Sequence, residues 1–171
     1  LDRLADMALA SLRSQVASGA SAVQLFDSWA GALSPPAYER HVLPFSRRIF
    51  EGLADLDVPS IHFGVGTGEI LPLMATAGAD VIGVDWRIDL AEAWSRLGED
   101  VAVQGNLDPV VLFASVPEIQ QQAGRILDCV RGKPGHIFNL GHGVLQHTPV
   151  KHVAALIDFV HKHTGRGQDG E

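Results

Sequence analysis

Short apolar segments typical of β-strands alternate with longer segments of helical periodicity along almost the whole chain. The predicted strands are apolar on both faces, as are the strands of a parallel sheet covered by helices. They comprise residues 22–27, 60–65, 80–85, 101–105 and 136–140. Successive strands begin roughly 20–40 residues apart, a spacing that suits right-handed βα crossovers. The alternation therefore predicts an α/β fold built on a parallel sheet.

Helical periodicity predicts a helix after each strand and one helix ahead of the first strand. The leading segment, residues 2–18, has an apolar residue at every fourth position and ends at Gly19. The other predicted helices comprise residues 36–56, 69–77, 90–97 and 149–163, and helical segments are predicted across residues 109–130. Five βα units fit either an open, doubly wound sheet or a (β/α)₈ TIM barrel of about 250 residues or more. In the second case the chain supplies five of the eight units.

Composition restricts the kind of protein further. With 171 residues, 46% of them hydrophobic, the chain can form a single domain, residues 1–171, with its own core. A net charge of −7 argues against a general nucleic-acid surface, and no apolar run approaches the ~18 residues of a membrane span. The single cysteine, Cys129, excludes a disulfide framework and favours a reducing, cytoplasmic location. The chain begins with Leu1 inside a predicted helix, so we expect a fragment of a longer protein.

A glycine-rich segment, Gly64-Val65-Gly66-Thr67-Gly68-Glu69, lies between a predicted strand and a helix, and Asp85 ends the next strand. Such glycines let backbone amides approach a ligand, and the acid can hold ribose hydroxyls. The pattern resembles the first motif of S-adenosylmethionine-dependent methyltransferases. In that class the glycine loop lies near the first strand, whereas here the strand ending at Asp27 precedes it. The alternative interpretation is a tight βα loop in which glycines relieve turn strain.

Polar side chains lie at or just beyond the ends of the first and last predicted strands. Asp27 and Ser28 follow the first, while Asn139 and His142 lie at the end of the last, with a glycine on each side of His142. The carboxyl ends of parallel strands form the ligand-binding edge of a sheet. We therefore predict that Ser28 and His142 bind a ligand, and that Asp27, Asp85 and Asn139 are candidates for lining the cavity. The alternative role for these side chains is to satisfy loop amides or to cap a helix.

Six of the eight histidines lie in the C-terminal part of the chain, which raises the question of a metal site. His142, His147 and His152 are five residues apart and do not share a helix face, and His161 and His163 diverge on a helix. No second ligand type such as a cysteine joins them. The histidines are therefore predicted to form a surface cluster without a metal.

A resemblance to a known family is carried by four segments, which follow one another in the order QLFDSWAGALSPPAYERHVLPF, GADVIGVDW, VQGNLDP and FNLGHGVLQHTPVKHVAALIDFVHKH. They extend from Gln24 to His163 and resemble the C-terminal half of the uroporphyrinogen decarboxylase family. The resemblance implies a (β/α)₈ barrel acting as a homodimer. Members convert uroporphyrinogen III to coproporphyrinogen III by removing four acetate carboxyl groups, with neither a metal nor an organic cofactor.

The resemblance implies that the family's key aspartate and arginines belong to an N-terminal part outside this chain, so no catalytic residue is expected here. Ser28 and His142 match substrate-binding positions of the family. In this chemistry the protonated pyrrole is the electron sink, and the protein supplies shape, hydrogen bonds and cations for the carboxylates. A net charge of −7 repels such a polyanion at long range, so the site must be locally basic. The chain alone is expected to be inactive, and a non-catalytic half-barrel remnant is the alternative.

A related group with the same barrel, the coenzyme M and corrinoid methyltransferases, binds zinc through a His-x-Cys motif and a later cysteine. The matching segment here is His62-Phe63-Gly64, which has glycine in place of the thiolate. His142 stands where the later cysteine would be, and Cys129 lies in a predicted helix. Zinc–thiolate chemistry is therefore not expected.

Overall fold

The computed structural model describes residues 1–98 and 100–165. Its centre is one parallel sheet whose five strands follow one another in chain order. The strands are β1 (Val23–Asp27), β2 (Ser60–Gly64), β3 (Val81–Gly83), β4 (Ala102–Leu107) and β5 (His136–Leu140). A doubly wound sheet reverses its strand order at a switch point, so that alternative is wrong. The predicted α/β fold, with five consecutive units of a TIM barrel, is confirmed.

Helices occupy the intervals between strands, as predicted. They are α1 (Asp2–Ala17), α2 (Pro35–His41), α3 (Leu43–Glu51), α4 (Leu71–Ala75), α5 (Leu90–Leu97), α6 (Val116–Cys129) and α7 (Val150–His163). Short 3₁₀ helices add Ala30–Ala32 and Pro109–Phe113. None of the helices in the described residues is both long and apolar enough to cross a membrane.

One predicted helix is divided in the structure. The single helix predicted over residues 36–56 is wrong, because α2 and α3 meet at Val42, two residues before Pro44. Proline has no amide hydrogen and its ring clashes with the preceding turn, so one helix cannot run through this position. The helical segments predicted across residues 109–130 are a 3₁₀ helix and α6, with Ser115 in an extended conformation just before Val116 and Pro117.

One face of the sheet carries the hydrophobic core. Alternate strand side chains pack there against the helices, since neighbours along a strand point to opposite faces. The larger cluster includes Val23, Leu25, Ile82, Val84 and Val103, and a second cluster joins Leu107, Phe138 and Leu140 to α6 and α7. The helices thus cover this outer face of the sheet.

The opposite, inner face is concave. Gln104 Nε2 on β4 donates a hydrogen bond of 3.2 Å to Gln24 Oε1 on β1, although β2 and β3 lie between these strands. In a flat sheet three strand spacings amount to about 14 Å, and side chains perpendicular to the sheet could not meet. The five strands therefore curl as part of a barrel wall. On this inner face Gly83 leaves room for the Phe63 ring, a ring atom of which lies 2.8 Å from where a β-carbon on Gly83 would be.

Candidate functional site

The five predicted site residues all lie near the carboxyl ends of the strands. Asp27 ends β1 and Ser28 follows it; Asn139 lies in β5 and His142 lies two residues beyond that strand. Asp85 lies two residues beyond β3. Ser28, Asn139 and His142 are exposed. Because β1 and β5 are the first and last strands of the sheet, Ser28 and His142 lie at opposite ends of this edge.

The glycine-rich segment holds neighbouring loops together. Gly31, after β1, lies so close to the carbonyl oxygens of Val65 and Gly66 that a side chain would not fit. Gly66 has a φ of +70°, a conformation that glycine adopts without strain, and its amide donates a 2.7 Å hydrogen bond to the Asp85 carboxylate. These glycines therefore join the loops that follow β1, β2 and β3.

Asp85 is buried, with 1% of its surface exposed. Besides the Gly66 amide, its Oδ2 accepts a 2.9 Å bond from Arg87 Nη1, and its backbone carbonyl accepts a 3.0 Å bond from Asn106 Nδ2. A carboxylate occupied in this way is not presented to a ribose. Together with the sequential strand order, these hydrogen bonds of Asp85 show that the interpretation of the chain as an S-adenosylmethionine-dependent methyltransferase is wrong.

Asp27 turns away from the concave face. Its side chain follows those of Val23 and Leu25 on the outer face, and its Oδ2 lies 3.8 Å from His62 Nε2. Tyr38, fully buried on α2, is close enough to be affected by this carboxylate. Burial, and next the charge of Asp27, raise the pKa of the Tyr38 hydroxyl to about 12. Asp27 thus belongs to a buried polar group behind the strand that carries Ser28.

Two aromatic side chains that the sequence analysis did not select lie on the concave face beside Ser28. The rings of Phe26 and Phe63 meet edge to face with centroids 5.9 Å apart and an angle of 71°. Phe26 is 66% exposed, which is unusual for a phenylalanine in a strand. The signal in the sequence is its position next to Asp27: when one of two neighbours in a strand faces the helices, the other faces the barrel interior.

His142 contacts a tryptophan, Trp86, that follows Asp85 in the loop after β3. The imidazole and the Trp86 indole have centroids 5.7 Å apart at an angle of 84°. On the same indole, the Arg87 guanidinium carbon lies 3.9 Å from the ring centre. The loop after β5 reaches Trp86 because Gly141 has no side chain: a β-carbon there would lie 2.9 Å from the Asp85 carbonyl carbon.

Two other histidines of the C-terminal part each contact a different backbone carbonyl. His136 Nε2 lies 2.9 Å from the Gly105 carbonyl oxygen, and His152 Nδ1 lies 2.8 Å from that of Leu112. Burial lowers the pKa of His136, and the hydrogen bond to Gly105 opposes this only in part. Across residues 1–98 and 100–165, no three histidine, cysteine, aspartate or glutamate side chains are arranged to hold a metal ion.

Comparison with known proteins relates this chain to one family. The family model described as "Uroporphyrinogen decarboxylase (URO-D)" matches residues 1–163. A curated uroporphyrinogen decarboxylase of Streptomyces coelicolor is 55% identical over 166 residues, which cover 97% of this chain and 47% of the relative. That of Carboxydothermus hydrogenoformans is 49% identical, with 95% and 46% covered. The chain thus spans about half the length of the curated relatives it matches.

A solved structure with the same fold is a methyltransferase from Methanosarcina mazei. It superimposes with a TM-score of 0.82 over 94% of this chain and 47% of that protein, at 19% sequence identity. At that identity the similarity concerns the fold alone, and it places the five βα units within a larger barrel-type chain.

Proposed function

The chain belongs to the uroporphyrinogen decarboxylase family, and we propose that it forms the C-terminal part of an enzyme that converts uroporphyrinogen III to coproporphyrinogen III in tetrapyrrole biosynthesis. The observation that carries the proposal is the 55% identity to the Streptomyces coelicolor decarboxylase across 97% of the chain. Because the chain spans 47% of that relative, the activity is proposed for the complete enzyme. The 171-residue chain by itself is proposed to be inactive.

In this proposal Ser28 and His142 bind the porphyrinogen at the edge of the barrel. Both side chains are exposed beyond strand ends, where a hydroxyl and an imidazole can donate hydrogen bonds to carboxylates. The exposed ring of Phe26 offers an apolar surface to the macrocycle on the concave face beside Ser28. Asn139, exposed in β5 next to Asn106, adds a further donor at the same edge.

The proposed reaction uses the substrate as its own electron sink. A proton adds to a pyrrole carbon, and the ring becomes cationic. The bond between the acetate methylene and its carboxylate then breaks, its electron pair neutralises the ring, and carbon dioxide leaves. Protonation of the exocyclic carbon and loss of the ring proton yield the methyl group. For such a step the protein must orient the macrocycle and stabilise developing charge, and this chain contributes the orienting groups.

Charge constrains the complete enzyme. The chain has a net charge of −7 while the proposed substrate carries many carboxylates, so cations must be concentrated at the site. Arg87, half exposed at the strand-end edge, is already paired with Asp85, so most of these cations are proposed to come from the rest of the complete enzyme. We further propose that the complete enzyme is a homodimer located in the cytoplasm, with no nucleic-acid partner, in line with its family resemblance and its negative charge.

The test is a hybrid enzyme, here called the chimera, in which residues 1–163 of this chain replace the matching segment of the Streptomyces coelicolor decarboxylase. The chimera, the parent enzyme and the 171-residue chain are assayed anaerobically on uroporphyrinogen III, and the products are separated by carboxyl number. We expect coproporphyrinogen III from the chimera and the parent, and none from the chain alone. A folded chimera that leaves uroporphyrinogen unchanged would contradict the proposal and favour a non-catalytic half-barrel.

A further inference from the structure

We infer that Trp86 is a positioning residue for His142, and that it sets the orientation in which the imidazole meets the substrate. The inference rests on the proposed function, since it takes His142 as a substrate-binding residue. It concerns a side chain of the loop after β3 that acts through a side chain of the loop after β5.

His142 needs an external support to hold one orientation. It lies in a loop between Gly141 and Gly143, which leaves its backbone few restraints from neighbouring side chains. Among the described residues no hydrogen bond reaches its ring, and the contact that orients it is the edge-to-face contact with Trp86, at 5.7 Å and 84°. An edge-to-face contact restricts the plane of a ring, and no hydrogen bond within the described residues occupies the imidazole nitrogens. Both imidazole nitrogens thus stay available to a ligand.

Trp86 is itself held firmly. The Arg87 guanidinium lies over the indole at 3.9 Å from the ring centre, and the 2.9 Å ion pair with Asp85 holds Arg87 there. Asp85 is buried and also bound to the Gly66 amide, so the support continues into the loop after β2. Only the outer part of this arrangement, Arg87 and His142, is exposed to an incoming ligand.

The backbones of the two loops are in direct contact as well. Gly141 packs against the backbone of Asp85 and Trp86 so closely that any side chain at position 141 would collide. The contact passes over β4, which lies between β3 and β5 in the sheet. The backbone of His142 is therefore fixed next to Trp86, and the indole sets the orientation of the imidazole.

The inference predicts a dependence between the two residues that a merely structural role would not produce. In the chimera, Trp86→Leu should raise KM for uroporphyrinogen by roughly 2- to 10-fold, the range expected for losing one aromatic contact. Trp86→Phe, which keeps an aromatic face, should restore most of the loss. When His142→Asn is already present, Trp86→Leu should raise KM little further, because the effects of residues that act through one another are not additive.

Two further variants distinguish a positioning role of Trp86 from an effect on folding. Arg87→Gln removes the guanidinium from the indole at a half-exposed position, and it should raise KM in the same direction but by less. Trp94→Phe is the matched control: Trp94 is a buried indole that donates a 2.9 Å bond to the Val101 carbonyl, next to the amino end of β4. It should change thermal stability and leave KM and kcat unaltered.

A second readout is independent of turnover. The ring protons of His142, observed by NMR in the folded chimera, should show a ring-current shift that Trp86→Leu removes and Trp86→Phe partly keeps. An unchanged His142 spectrum in Trp86→Leu would overturn the inference, as would equal effects of Trp86→Leu with and without His142. Lack of turnover in the unsubstituted chimera would instead contradict the proposed function, while the NMR comparison still decides the role of Trp86.

Discussion

Gln104 on β4 and Gln24 on β1 share a hydrogen bond of 3.2 Å across the inside of the curled sheet. The two residues are 80 positions apart in the chain, and two strands separate them in the sheet. Their amides thus link strands that do not pair with each other. The link lies on the inner face, where the helices contribute no packing, so it helps to define the curvature that brings the strand-end loops toward one another.

Removing one partner of this pair should destabilise the fold more than removing both. Gln104→Leu leaves the Gln24 amide without its partner and should lower the free energy of unfolding of the chimera by about 1 kcal/mol. The double variant Gln24→Leu, Gln104→Leu should recover much of that loss, because two apolar side chains leave no unpaired group. Urea unfolding provides the measurement. Gln15→Leu, at an exposed position of α1, is the control and should have little effect.

Strand order and most boundaries could be predicted because they depend on local pattern. The apolar segment 136–140 and β5 coincide, since the residues before and after it are turn formers. β4, in contrast, continues past Gly105 to Leu107, because Asn106 and Leu107 pair with Asn139 and Leu140. Pairing between strands is not visible in a local pattern, so the sequence predicts that the strand ends at the glycine.

A buried carboxylate at the centre of the loop contacts should matter for stability. Asp85→Ala removes the acceptor of the Gly66 amide and of Arg87, and it should lower the free energy of unfolding of the chimera by about 2 kcal/mol. The control is Asp128→Ala, which removes an exposed ion pair with Arg131 and should cost less than about 0.5 kcal/mol. Equal effects of the two substitutions would argue that Asp85 does not join the loops.

The chemistry of the site was predictable only in part. Ser28 and His142 stand out in the sequence because each follows an apolar strand and lies near glycine, a pattern that depends on neighbouring residues. The contact between Trp86 and His142 depends instead on the loop after β5 crossing β4, which no local pattern encodes. The side chain of Asp27 points toward His62 because side chains alternate along a strand. The sequence does not show which face of the sheet is concave, so it does not show that Asp27 points away from that face.

Stability should fall in mild acid because of His136. Burial lowers the pKa of this imidazole in the folded state from its ordinary value of 6.5. Below about pH 6.5 the unfolded chain takes up a proton that the folded chain does not, so the free energy of unfolding decreases as the pH falls toward the folded-state pKa. His136→Gln, which can still donate to the Gly105 carbonyl, should flatten this dependence, whereas His147→Gln, at an exposed position, should leave it as it is. Thermal unfolding of the chimera between pH 5 and 8 measures the difference.

Substrate binding should weaken without loss of the fold when His142 is replaced. His142→Asn in the chimera should reduce kcat/KM by about 10-fold, the cost of one hydrogen bond to a charged group. The loss should be partial, because the groups expected to carry the decarboxylation lie outside this chain. Ser28→Ala should act in the same direction. Steady-state kinetics with melting curves test both, and wild-type kinetics for His142→Asn would show that the imidazole does not bind the substrate.

The 171-residue chain by itself should fold poorly. Within residues 1–98 and 100–165, β1 and β5 each pair along one side only, and unpaired strand edges promote aggregation. An inner-face side chain that a closed barrel covers is open to water here, since Ile137 is 43% exposed. We expect low solubility, binding of hydrophobic dyes, no decarboxylation and a broad unfolding transition, while the chimera unfolds cooperatively. A sharp two-state transition together with measurable turnover in the isolated chain would show that five βα units form a self-sufficient enzyme.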